Sequence, residues 1–169
     1  MSCLMVVKES LSLHTILPLV NHNFYVKSIL DPGSQVISMS KEAYHALSLI
    51  YDPQLRLQMQ STNSEVDETL GLAQNIPMLL GEITFYVQFH VIHNPVYNIL
   101  LGRPFDVLLE SIICNYKNED QTITIHDPNS RRTATVLTFT HSTHLQTCCQ
   151  APDFCNSRIW WVIKEMSCL

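Results

Sequence analysis

The sequence predicts a mainly β domain carrying two short helices, and three observations lead there. Residues 81 to 91 alternate with period two and set Ile83, Phe85, Val87, Phe89 and Val91 on one face, the pattern of a half-buried strand. Residues 24 to 30 and 36 to 39 are apolar, β-rich runs on either side of a turn. Helical spacing occurs in two places only, both brief.

In chain order, residues 15 to 40 read as strand material with Pro18 near the start and Asn21-His22-Asn23 as a polar turn, a hairpin leading into a loop at Asp31. From Ser40 the period changes. Ala43, Ala46, Leu47 and Ile50 fall at i, i+3, i+4 and i+7, Ser40 suits an N-cap, and Asp52-Pro53 ends the run. Residues 55 to 59 alternate, and the polar residues 60 to 68 form a loop or the tip of an exposed hairpin. After the 81–91 strand and a His93-Asn94-Pro95 turn, residues 96 to 101 are almost continuously apolar, as in a strand buried on both faces. Gly102-Arg103-Pro104 breaks this run, and Pro104 suits the first residue of a helix carrying Phe105, Leu108 and Leu109. Residues 122 to 125 and 133 to 137 flank the turn residues 126 to 130, a strand, turn, strand unit. Periodicity then fades, which divides the chain into a domain over 15–137 and a tail over 138–169.

Composition narrows the function classes. A chain of 169 residues with a hydrophobic fraction of 46% and a charged fraction of 15% can bury a core. Fifteen acidic against ten basic residues give a net charge of −5, and Arg131-Arg132 is the one adjacent basic pair, so nucleic acid is not the expected partner. No apolar run reaches the roughly 18 residues that span a bilayer, and residues 1 to 9 lack a basic segment ahead of an apolar one. The reading is a cytoplasmic chain without a membrane partner. Four of the six cysteines fall in the last 22 residues, which is not a disulfide framework.

The four glycines, 33, 71, 81 and 102, form no phosphate loop or dinucleotide fingerprint, and no G-x-S-x-G elbow occurs. The tail residues His141, His144, Cys148, Cys149 and Cys155 match no ordinary zinc spacing, so neither metal nor cofactor is expected. His45, His90 and His93 read as surface or satisfied histidines, and Glu65, Asp67 and Glu68 as solvated.

Asp31 stands apart. In Ser28-Ile29-Leu30-Asp31-Pro32-Gly33-Ser34-Gln35, Pro32 and Gly33 are good turn residues, yet turn chemistry leaves unexplained an acid between two buried runs. Leu30-Asp31-Pro32-Gly33-Ser34 resembles the Asp-Thr/Ser-Gly loop of the retropepsin-like aspartic proteases. Asn98-Ile99-Leu100-Leu101-Gly102-Arg103 resembles their second signature, apolar residues followed by Gly and Arg and a short helix. The 71 positions between Asp31 and Gly102, and the order of strand, polar segment and long alternating strand, also fit that family. The resemblance spans about residues 15 to 137 and is nearest to the protease domains of gypsy-type retrotransposons and their fungal relatives.

The resemblance implies a small closed β-barrel-like subunit of an acid protease, working as a homodimer on a peptide or polyprotein substrate. One Asp31 from each subunit would form the catalytic pair, with Pro32, Gly33 and Ser34 as its loop. Ile99, Leu100, Leu101, Gly102 and Arg103 would support that loop, and Ser61, Thr62, Asn63 and Ser64 would form the tip of a flap over the substrate. Two positions depart from the family pattern. Pro32 stands where the family has a Thr or Ser hydroxyl that bonds across the dimer axis, and residues 58 to 70 contain no glycine. These departures keep a second reading open, a protease-like fold retained as a dimerising or peptide-binding module, or as a retrotransposon remnant.

Overall fold

The computed structural model describes residues 6–60 and 66–141. Its strands are β1 (His14–Ile16), β2 (Leu19–Val20), β3 (Phe24–Tyr25), β4 (Ser28–Leu30), β5 (Ser38–Ser40), β6 (Gln58–Gln60), β7 (Val66–Glu68), β8 (Gly71–Leu80), β9 (Ile83–Ile92), β10 (Ile99–Leu101), β11 (Ile112–Asn115), β12 (Gln121–His126), β13 (Thr133–Leu137) and β14 (Phe139–Thr140). Two helices, α1 (Lys41–Ala46) and α2 (Arg103–Leu109), complete the described residues. Nine strands form one sheet in the order β14-β1-β4-β10-β5-β9-β8-β2-β3, curled into a half-barrel, beside a three-stranded sheet β11-β12-β13 and the hairpin β6-β7. The fold is mainly β, the class that the sequence predicts.

The hairpin of β8 and β9 is the backbone of the sheet. All five apolar positions of the period-two run, Ile83, Phe85, Val87, Phe89 and Val91, are buried. They meet α2 from the other side, where Phe105 sets its ring edge-on to Phe85 with centroids 5.7 Å apart. Sheet β11-β12-β13 adds Ile123, Ile125 and Val136 to the same core.

Local chemistry fixes both helices. The Ser40 side chain accepts from the Ala43 N–H at 3.0 Å, which satisfies one of the free donors of the first turn of α1. Gly102 is the N-cap of α2, Pro104 follows in the first turn, and Glu110 ends the helix in the left-handed conformation.

Several expectations are corrected. The helix at Ser40 stops at Ala46, because Ser48 turns to φ 51, so Leu49 enters the core and Ile50 is 86% exposed. The apolar run 96–101 is a strand only from Ile99; Val96 precedes it and is 95% exposed. On α2, Phe105 and Leu109 are buried, whereas Leu108 is 40% exposed. Strand β8 was not expected, since Gln74, Asn75 and Pro77 interrupt its apolar residues. A register shift between Ala73 and Ile76, with Asn75 at φ 55, absorbs the polar pair. Pro77 is tolerated because its carbonyl accepts from the Asn21 N–H at 2.9 Å. The backbone nitrogen of a strand residue points to the same side as its carbonyl, so proline costs the β9 ladder no donor.

Candidate active site

The Asp31 loop hangs between two strands that a third one holds. β10 lies between β4 and β5, parallel to β4 with Leu101 beside Leu30, and antiparallel to β5 with Leu100 beside Ser38. The ladder continues past the end of β4, where the Asp31 N–H donates to the Leu101 carbonyl at 3.0 Å. The next residues are fixed in turn. The Ser34 N–H donates to the Asp31 carbonyl at 3.1 Å, and the Arg103 N–H donates to the Ser34 carbonyl at 2.8 Å. Inside the loop the Gly33 N–H donates to Asp31 Oδ1 at 3.1 Å, and the Ser34 hydroxyl donates to the Val36 carbonyl at 3.1 Å.

The loop residues and the supporting run thus come together, although they are 71 positions apart in the chain. Gly102 permits this approach, because a Cβ there would stand 2.1 Å from the Val36 carbonyl oxygen and 2.6 Å from that of Ser34. Asp31 is partly exposed, and Pro32 and Gly33 are exposed, so the carboxylate is held by backbone yet open to a ligand. Arg103 contributes its N–H to the loop while its side chain is exposed.

The registers assign the surface next to Asp31. Ile29, Leu100, Ser38, His90 and Leu72 stand side by side across β4, β10, β5, β9 and β8. Neighbours in such a row share a sheet face, and Asp31, two residues beyond Ile29, belongs to that face by the same alternation. The Ser38 and Tyr97 hydroxyls lie 2.9 Å apart. Burial pushes the Tyr97 hydroxyl above the ordinary tyrosine range, against the Ser38 hydrogen bond, and the negative charge of Asp31 pushes the same way as burial. Tyr97 and Ile29 also line a cavity of about 550 Å³, which reaches Lys27, Ser40 and Glu42. The sequence reading missed Ser38 and Tyr97. The available signal was one hydroxyl residue within the apolar run 36–39.

The polar stretch expected to be a loop or the tip of an exposed hairpin is flanked by the paired strands β6 and β7. Gln58 pairs with Glu68 and Gln60 with Val66, and Leu57 and Thr69 close the base of this hairpin through two bonds of 2.9 Å each. Its tip, Ser61, Thr62, Asn63 and Ser64, lies outside the described residues, as does the tail pattern from His144 to Cys155. His45 and His93 are exposed, whereas His90 has a buried Nδ1 with no hydrogen-bond partner. Among the described residues no group of three or more His, Cys, Asp or Glu side chains could hold a metal, and no helix is long and apolar enough to cross a membrane.

Solved structures match this chain. The retroviral protease-like domain of Ddi1 from Leishmania major matches with a TM-score of 0.61 and 17% identity, over 80% of this chain and 100% of that one. A retropepsin-like aspartic protease from Rickettsia conorii matches with a TM-score of 0.43 and 20% identity, over 62% of this chain and 77% of that one. No protein-family model matches the sequence, and no curated protein does. The chain has the retropepsin-like fold, and at such identities the likeness speaks for the fold alone.

Proposed function

We propose that the protein is an aspartic endopeptidase that works as a homodimer, with Asp31 of each subunit as the acid and base pair. The observation that carries this reading is Asp31 itself, a partly exposed carboxylate at the end of a buried strand, fixed by Leu101 on the main chain and by the Gly33 N–H on Oδ1. Two carboxylates brought within a few Å hold one proton between them, because both cannot ionise cheaply at that separation. The ionised member takes a proton from a bound water while the protonated member donates to the carbonyl oxygen of the peptide bond. The water oxygen bonds to the carbonyl carbon to give a gem-diol. Its C–N bond breaks as the carboxyl that took the water proton passes it to the nitrogen and the other carboxylate takes a hydroxyl proton back, so no covalent enzyme intermediate forms.

In this reading the domain over residues 15–137 provides half of the site, and Pro32, Gly33 and Ser34 shape the loop. The β6-β7 hairpin closes over an extended peptide with residues 61 to 64 at its tip. We further read the chain as a relative of gypsy-type retrotransposon proteases, acting in the cytoplasm on peptides or a polyprotein.

The test is cleavage of an apolar-rich peptide library in mild acid, at about pH 4 to 6. Cleavage is expected from the wild type and none from Asp31→Asn. Activity that survives the substitution contradicts the reading, and a folded protein with no Asp31-dependent cleavage favours the non-catalytic module.

A further inference from the structure

We propose that Tyr97 is a substrate-binding residue, which offers its hydroxyl proton to a neutral acceptor atom on one side chain of the peptide, and that Ser38 is the positioning residue that makes it a donor. The inference rests on the endopeptidase reading only in taking the ligand to be a peptide.

Ser38 is 1% exposed, and among the described residues the one hydrogen bond its hydroxyl makes is the 2.9 Å bond with Tyr97, in which geometry alone lets either oxygen donate. If Tyr97 donated, the Ser38 proton would be left in a buried place with no acceptor. His90, beside Ser38 on the next strand, does not receive it, since its buried Nδ1 has no partner. A buried donor without an acceptor is costly, so Ser38 donates and Tyr97 accepts. The phenolic proton of Tyr97 is then left over. Tyr97 is only half-buried and lines the 550 Å³ cavity together with Ile29, so a ligand in that cavity can reach it.

The surroundings define the acceptor. Burial above all, and the negative charge of Asp31 with it, favours the protonated hydroxyl of Tyr97, and that charge disfavours a second carboxylate beside it. Ile29 supplies an apolar wall in the same cavity. The fitting side chain has a short apolar stem and a neutral oxygen, as in Gln, Asn or Thr. The same stem without the oxygen, as in Met, Leu or Val, leaves the proton unpaired.

Binding to Asp31→Asn protein separates this inference from catalysis. Peptides that differ at one position by Gln against Met, Asn against Leu or Thr against Val are titrated against it. At one position the oxygen-bearing member is expected to bind about fivefold more tightly. Adding Tyr97→Phe should bring that ratio to about one, and Ser38→Ala should lower it while Ser38→Thr restores it. In the otherwise wild-type enzyme the same pairs should separate in KM rather than in kcat. A purely structural role for Tyr97 would weaken both members of a pair alike. Absence of binding, a ratio near one at every position, or a ratio unchanged by Tyr97→Phe overturns the proposal. Failure of the wild type to cleave would instead overturn the endopeptidase reading and leave the binding ratios to be judged separately.

Discussion

Gly102 packs its backbone against the carbonyl of Val36 so closely that an added Cβ would lie 2.1 Å from that oxygen. The obstructing atoms belong to the main chain of the Asp31 loop, so no side-chain rotation relieves the clash. Gly102→Ala is expected to destabilise the domain by about 3 kcal/mol, at the upper end of ordinary overpacking, because the loop must move off β10. Urea unfolding monitored by circular dichroism checks this, and a loss within about 0.5 kcal/mol of zero contradicts it.

Pro32 tests how the loop meets its symmetry mate. It is exposed and offers neither hydroxyl nor N–H. Pro32→Ser supplies both donors next to the proposed dimer axis, so the dimer should tighten, with a dissociation constant at least about fivefold lower for one added pair of bonds. The isolated subunit should lose up to about 1 kcal/mol, since proline restricts the unfolded chain. Sedimentation over a dilution series separates the two effects.

Acid should weaken the fold in two stages. Burial holds His90 below the ordinary histidine value, and it holds His14 there too, against the opposing charge of Asp120. A histidine lowered in the folded state contributes stability in full above about pH 6.5 and loses it as the pH falls through its folded value. Asp127 is lowered by hydrogen bonds from the Ser130 hydroxyl and the Asn129 N–H and by Arg132, so its contribution is full above about pH 3.9 and vanishes as the pH falls through its own lower value. Thermal unfolding should therefore shift to lower temperature between about pH 7 and 5 through the histidines, and again below about pH 4 through Asp127. His90→Gln should flatten the first decline, and Asp127→Asn the second. A melting temperature unchanged between pH 7 and 5 contradicts the assignment.

Much of this was legible in the sequence where one physical signal dominated. Period two over 81–91 fixed a strand because one face meets the core, and Ser40 fixed a helix start because a free N–H needs an acceptor. Strand β8 escaped because a bulge at Asn75 and a Pro77 that faces Asn21, just past the end of β2, both look like breakers until the neighbouring strands are known. Ile50 and Val96 show the converse, since apolar spacing cannot reveal that Ser48 leaves the helix or that the strand begins only at Ile99. The Asp31 loop was readable from its two motifs. Ser38 and Tyr97 were not, because their pairing depends on β10 running between β4 and β5.

The central claim is that one site is built from two copies of Asp31, and subunit mixing tests it most directly. Wild-type and Asp31→Asn subunits are unfolded together, refolded at equal amounts and assayed for peptide cleavage at constant total protein. If both carboxylates are required, only dimers of two wild-type subunits cut, and random pairing leaves about one quarter of the activity. Half of the activity would mean that each subunit works alone, and cleavage by pure Asp31→Asn protein would mean that Asp31 is not the catalyst.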